Sequence, residues 1–229
     1  MAAAAERREA LKAVWEVARG CVRCPQLAEA RTQVVFGAGN ADADLMFVGE
    51  APGANEDRIG RPFVGQAGKL LDRLLGEIGL DREEVFIANV LKCRPPGNRD
   101  PLPAEIENCS GYLRTQLDLI EPRVLCTLGN FATKLLRADP AGITRLHGQA
   151  EVRVVGPRAV RLYPLLHPAA ALYTPAMLET LRADFARIPE LLELPVPQPP
   201  APGPEVPAAP PEPAEAARQG ESAPQLGLF

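Results

Sequence analysis

The stretch LMFVGE, Leu45–Glu50, followed across a long polar loop by GQAGKLLDRLLGEIG, Gly65–Gly79, decides the fold. A short apolar run ending in glycine and then leucines at helical spacing predict strand, loop, helix. The scheme recurs. VFIANV (Val85–Val90) leads through a Pro-rich loop into PAEIENCSGYLRTQLDLIE (Pro103–Glu121). RVLCTLGN (Arg123–Asn130) runs into FATKLLR (Phe131–Arg137), and VRLYPLLH (Val160–His167) precedes PAMLETLRADFARIPELLE (Pro175–Glu193). Such alternation predicts an α/β fold, a three-layer α/β/α sandwich around a mainly parallel central sheet. Ligands of such sheets bind beyond the carboxyl ends of the strands, which sets Glu50, Asn89 and His167 along one rim.

Composition limits what surrounds this unit. The 229 residues are 46% hydrophobic, enough for one sizeable core. Eleven of the 25 prolines fall between Pro195 and Phe229, where Phe229 is the only aromatic residue, so that stretch cannot offset its ordering entropy by burial. The expected division is a folded domain over 1–194 and a disordered Pro/Ala-rich tail over 195–229. Setting aside the tail's four Glu and one Arg leaves about −1 of the total charge of −4 on the folded part, which is no global nucleic-acid signature. A local basic face would have to serve, with candidates around Arg58–Arg61, Lys92–Arg99 and Arg145–His147. The N-terminal MAAAAERREALKAVWEVARG mixes Glu and Arg at helical spacing and is neither a signal peptide nor a membrane span, so a cytoplasmic protein is expected.

Five cysteines in a reducing compartment are expected to be free of structural disulfides. Cys21 and Cys24 form a C-x-x-C pair that presents two thiolates on one turn. Cys93, in KCRPPGN, and Cys109, in ENCSGY, can close a four-sulfur site with them. Cys126, inside the apolar VLCTLG, fits a small buried hydrophobe. Four thiolates suit zinc or a [4Fe-4S] cluster. The wide gap between Cys24 and Cys93 lacks the paired knuckles of a zinc ribbon and favours the cluster.

The loop GEAPGANEDRIGRPFVGQAG (Gly49–Gly68) is glycine-dense but matches neither a P-loop nor a dinucleotide fingerprint. Together with IANVLKCRPPGNRDP (Ile87–Pro101), LLHPAAAL (Leu165–Leu172) and the four cysteines, it resembles the family 4 uracil-DNA glycosylases, the iron-sulfur branch of that superfamily, over roughly Cys21 to Ala186. The resemblance implies a DNA repair enzyme that flips uracil out of single- or double-stranded DNA and hydrolyses its N-glycosidic bond, leaving an abasic site. It also implies roles. Phe63 would stack on the flipped base, and Asn89 would offer its amide to uracil O4 and N3-H. His167 would direct a ring N-H at O2 as anionic charge develops. Leu172 or Tyr173, with Leu172 preferred, would wedge into the duplex. The better-known branch reads G-Q-D-P-Y-H at this place, whereas GEAPGA puts Ala51 and Gly53 at the positions of its Asp and Tyr, so neither role transfers. Glu50 is instead the candidate for positioning water or stabilising the cationic sugar, and Glu56 for lining the pocket near C5. A plain N-cap or loop carboxylate is the competing reading of both. Cys21, Cys24, Cys93 and Cys109 would hold a structural [4Fe-4S] cluster that stiffens the RPPGNR loop, so that Arg94 and Arg99 meet phosphates. His147 has no motif around it and suits a surface or satisfied-core role.

Two other classes compete: a non-catalytic Fe-S or zinc module for nucleic-acid binding or electron transfer, and a phosphoryl-transfer hydrolase. The first leaves Asn89 and His167 unexplained, and the second lacks a Walker pattern or an Asp-rich metal site. The terminal QLGLF resembles the short peptide by which bacterial polymerases and repair proteins hold the sliding clamp. Gln225 would bond at the pocket edge, and Leu226, Leu228 and Phe229 would supply its apolar side chains. A monomeric, bacterial, nucleoid-associated enzyme is the expectation that follows.

Overall fold

The structure, a computed structural model, describes residues 2–155 and 158–199. Six strands make one sheet: β1 (Ala38–Gly39), β2 (Leu45–Gly49), β3 (Phe86–Asn89), β4 (Val124–Leu128), β5 (Glu151–Val155) and β6 (Arg158–Leu165). Their order is β1-β3-β2-β4-β6-β5. The four inner strands run parallel, and β1 and β5 close the edges antiparallel. The four strands expected from the sequence are the four inner ones. The two edges were not anticipated: β1 is only two residues long, and β5 alternates half-buried and exposed positions.

Alternate residues of each inner strand feed opposite layers. Met46, Val48, Phe86, Ala88, Leu125 and Leu162 enter a core shared with α1 (Ala2–Arg19), α2 (Pro25–Ala30) and α5 (Pro103–Ile120). Leu45, Phe47, Ile87, Cys126, Tyr163 and Leu165 enter the other, beneath α4 (Gln66–Glu77), α9 (Pro175–Phe185) and α10 (Ile188–Glu193). The sandwich therefore has three layers, as expected. Leu70, Leu71, Leu74 and Leu75 form the buried stripe of α4. Each fully buried side chain of this size stabilises the fold by about 1.5–3 kcal/mol. Phe47 of β2 stacks on Phe185 at 5.8 Å between centroids, fixing α9 against the middle of the sheet.

The register aligns the strand ends. Gly49 pairs with Asn89, and Leu128 with Leu165, so the loops that follow emerge at one rim. Shorter helices sit there: α3 (Ala54–Ile59) before α4, α6 (Asn130–Arg137) and α7 (Ile143–Leu146) after β4, and α8 (Pro168–Ala171) after β6. At the opposite side of the chain's packing, buried Arg161 donates to the Leu191 and Pro195 carbonyls and holds the main chain beyond α10 on the sheet. Gln225, Leu226, Leu228 and Phe229 lie outside the described residues. Among the described residues no helix is long and apolar enough to cross a membrane.

Candidate active site and thiol cavity

A cavity of about 450 Å³ opens at the carboxyl rim, and Glu50, Glu56, Phe63, Asn89, Arg99 and His167 all line it. Six residues spread over 118 positions of sequence are thus brought together by three strand ends and the two segments that follow β2 and β3. Arg94 and Leu172 are not part of the lining.

Asn89 ends β3 and is only 2% exposed, yet its Oδ1 has no hydrogen-bond partner. An unsatisfied buried acceptor is costly, so this oxygen is prepared for a donor that arrives with a ligand. The space it occupies exists because residue 49 has no side chain. A Cβ on Gly49 would lie 2.5 Å from Asn89 Oδ1 and 2.8 Å from Phe63 Cζ.

Phe63 adopts φ +51°, a left-handed backbone uncommon for a residue with a Cβ. Several contacts impose it. Arg82 Nη1 donates to the Phe63 carbonyl at 2.8 Å, and its Nη2 donates to the Pro62 carbonyl. A Cβ on Gly68 would lie 1.8 Å from Phe63 O, so only glycine lets α4 approach the loop. The ring joins the core beneath α4 and meets the His167 ring at 5.7 Å between centroids, tilted by 31°. Phe63 is therefore a core residue and a cavity wall at once.

Glu56 Oε1 accepts from the N-H groups of Val64 (2.9 Å) and Gly65 (2.8 Å), immediately before α4. That is the loop and capping role that competed for this residue, and it coexists with a place in the cavity wall. Among the described residues no hydrogen bond engages the Glu50 carboxylate. Burial first, and repulsion from Asp100 second, raise its pKa above the ordinary carboxylate range.

His167 N-caps α8. Its Nδ1 accepts from the Ala169 N-H at 3.1 Å, so in the neutral ring the proton resides on Nε2. Burial pushes its pKa down to about 4, against a smaller opposing pull from Glu56. The ring is therefore a neutral N-H donor near pH 7. Gly129, at φ +90°, makes room for it, since a Cβ there would lie 3.0 Å from His167 Cβ. His147 is half-buried and satisfied: its Nδ1 pairs with Asp184 at 2.8 Å.

The rim's basic residues differ from expectation. Lys92, grouped by sequence with a basic face, is 1% exposed and points into the core, because its ammonium finds two buried acceptors. Arg99 forms a two-pronged pair with Glu105 at 2.9 and 2.5 Å, and Arg94 Nε donates to Asn98 Oδ1 at 2.7 Å. Leu172 is half-buried and packs on the core beneath α4, whereas Tyr173 beside it is 89% exposed. Arg82 and Gly68, which shape the Phe63 loop, were not singled out from sequence; the spacing of RPFVGQAG gives no sign that an arginine 19 residues on returns to it.

On the other side of the 92–109 segment, Cys21, Cys24, Cys93 and Cys109 line one small void. All four are free thiols. Each of three receives a donor: Arg23 Nε to Cys21 Sγ (3.4 Å), Arg31 Nη1 to Cys93 Sγ (3.4 Å) and the Lys92 N-H to Cys109 Sγ (3.3 Å). Among the described residues no three His, Cys, Asp or Glu stand in a preformed metal geometry. The donor set nevertheless fits a thiolate-bound group, since four sulfurs share a void and cationic and amide donors face them. Without a metal, burial pushes the Cys93 thiol up to about 11 and raises that of Cys109 as well. Cys126 lies in β4, fully buried, on the opposite face of the sheet from the void.

Comparison with known proteins gives a consistent result. The profile of the uracil DNA glycosylase superfamily matches residues 36–191. The chain is 46% identical over 188 residues to a type-4 uracil-DNA glycosylase of Sulfurisphaera tokodaii, covering 80% of this chain and 85% of that protein. The type-4 uracil-DNA glycosylase of Archaeoglobus fulgidus is 48% identical over 75% of this chain and 87% of its own, and that of Thermotoga maritima 43% identical over 71% and 83%.

Proposed function

The chain belongs to the uracil-DNA glycosylase superfamily, and from that premise we propose that it excises uracil from DNA by hydrolysing the N-glycosidic bond. The observation that carries the reading is the convergence on one cavity of an unpartnered Asn89 Oδ1, the Phe63 ring and the Nε2-H of a neutral His167. A flipped uracil presents complementary groups: N3-H for the Asn89 oxygen, O4 for its NH2, a flat face for Phe63 and O2 for His167. Cytosine offers an acceptor at N3 and a donor at position 4, so the same amide orientation rejects it.

Cleavage of the C1′-N1 bond leaves an oxocarbenium-like sugar and a uracil anion. His167 donates to O2 more strongly as that charge grows, and a neutral donor does so without giving up its proton. Glu50, unbonded and at the cavity wall, holds the water that adds to C1′ and takes up a proton from it. Glu50 passes that proton to solvent and the uracil anion takes one up, so the products are free uracil and an abasic sugar. Cys21, Cys24, Cys93 and Cys109 would hold a [4Fe-4S] cluster, whose contribution is a cross-link between the loop after α1 and the segment from Cys93 to α5 rather than a step in the hydrolysis.

On the DNA side, Arg94 and Arg99 face phosphates, and the wedge is carried by the α8–α9 junction. The exposure of Tyr173 supports that residue as the inserted side chain, with Leu172 as its packed base. The protein acts as a monomer in a bacterial cytoplasm, on nucleoid DNA. Gln225, Leu226, Leu228 and Phe229 dock on the sliding clamp, which a titration of clamp with full-length chain and with a chain ending at Pro224 tests; equal binding by the two would defeat it.

The central experiment is release of uracil from single- and double-stranded oligonucleotides containing it, without added metal or nucleotide. His167→Ala should lower kcat by about 10²–10³ with little change in DNA affinity, as expected for a donor used most in the transition state. Failure of the unaltered chain to release uracil would refute the function, and an unaltered rate in the variant would remove His167 from it.

A further inference from the structure

Lys92 is explained neither by the base cavity nor by packing. It is among the largest side chains sealed from solvent, and an ammonium is expensive to bury unless its bonds are specific. Lys92 has such bonds. Nζ donates to the Asn89 main-chain carbonyl at 2.8 Å and to Gln116 Oε1 at 2.6 Å, and it stands 5.8 Å from the Phe36 ring centroid. Gln116, itself fully buried in α5, passes the restraint on by donating from Nε2 to the Phe36 carbonyl at 2.9 Å. Meanwhile the Lys92 main-chain N-H donates to Cys109 Sγ.

The lysine therefore grips the strand end that presents the base-reading amide. Asn89 is the last residue of β3; the Val90 and Leu91 N-H groups still donate to the Gly49 and Glu50 carbonyls at 2.9 and 3.0 Å, and the chain then turns towards Cys93, so Lys92 adds to these bonds a tie to α5. The Asn89 side chain has no bond through Oδ1 to fix its direction before a base arrives. What fixes it is the main chain, and Lys92 ties that main chain to α5. A methionine of similar length would fill the same volume without those bonds.

We propose that Lys92 is a positioning residue for base readout, holding the Asn89 main chain against Gln116 so that the Asn89 amide meets the pyrimidine edge in one orientation. The proposal rests on the uracil-excision reading of the cavity. It predicts that loss of the Lys92 donors weakens recognition of the base itself.

The test uses the full-length chain with whatever metal it carries. Lys92→Met is compared with the unaltered protein for metal content, circular dichroism, kcat and KM on a uracil-containing single strand, and the dissociation constant of free uracil. Free uracil should bind about tenfold more weakly to the folded variant, with KM raised alongside it and metal content unchanged. A merely structural lysine would lower the folded fraction and leave the uracil affinity of the folded molecules alone, and that result overturns the proposal. Loss of metal together with loss of uracil affinity also overturns it, because the effect would then pass through the thiols. If Lys92→Met does not fold, Gln116→Leu removes one of the two acceptors while keeping the lysine. It should weaken free uracil about threefold to tenfold, and unchanged affinity there is equally fatal. An unaltered chain that releases no uracil at all would instead strike at the function, not at Lys92 alone.

Discussion

His167 and Glu50 are opposite solutions to burial at one cavity. The imidazole gives up its charge and keeps its donor, whereas the carboxyl gives up part of its acidity. Because Asp100 repels Glu50 and lies outside the cavity lining, it offers a way to move one ionisation without touching the site. If Glu50 must be ionised to hold water, kcat/KM falls at acid pH with a limb above the ordinary carboxylate range. Asp100→Asn removes the repulsion, so the limb should shift to lower pH with the plateau rate kept; a pH-rate profile on a uracil oligonucleotide decides it. His167 makes a separate prediction about stability. Its folded pKa of about 4 lies below the unfolded 6.5, so the unfolded chain binds the proton first as pH falls. Stability linked to this ring is present above 6.5 and is lost as pH drops through the window to about 4. His167→Asn lacks that slope. Urea unfolding at pH 7 and pH 4 should show the unaltered chain losing about 2 kcal/mol more than the variant, less than the full shift implies because the ring borders an open cavity.

At the level of elements, the decisive contacts are glycines at strand and helix ends. Gly49 closes β2 where β3 presents Asn89, and any side chain there collides with both Asn89 Oδ1 and Phe63. Gly49→Ala should therefore cut uracil release by more than about tenfold, since it displaces the two groups that define the base's position. Uracil-release kinetics and a melting curve together check that the loss exceeds the fall in folded fraction. The inner strands and long helices were legible because burial on two faces writes an apolar run and burial on one writes a helical stripe. The edges β1 and β5 were not, since a two-residue strand has no period and Glu151–Val155 is half exposed. The site divides in the same way. Glu50, Asn89 and His167 follow from strand ends, which sequence marks. Arg82, Gly68 and the burial of Lys92 depend on partners distant in the chain, and nothing in the local pattern distinguishes a lysine aimed at Gln116 from one on a basic face.

For the molecule as a whole, the four thiols join parts that the sheet does not. Cys21 and Cys24 precede α2, Cys93 follows β3, and Cys109 lies on α5, which also packs on α1. A bound metal group would tie three segments of chain at one void on one face of the sheet, beside the segment Pro95–Arg99 that forms a wall of the base cavity. Burial makes the protons of Cys93 and Cys109 harder to remove in the metal-free protein, so loading must expel them and should strengthen as pH rises. The full-length chain, purified without oxygen, should carry about four irons with broad visible absorption. Cys126→Ser should keep all of them, because that thiol lies on the other face of the sheet. Cys93→Ser should lose metal and melt several degrees lower, and its DNA affinity should fall more than its affinity for free uracil, because the loop it anchors carries Arg94 and Arg99 while Asn89 is held by Lys92. Iron analysis, calorimetry and two binding titrations measure these separately. A colourless protein with one zinc would replace the cluster by a tetrathiolate zinc site, and equal loss of both affinities would mean that the thiols support the base cavity directly.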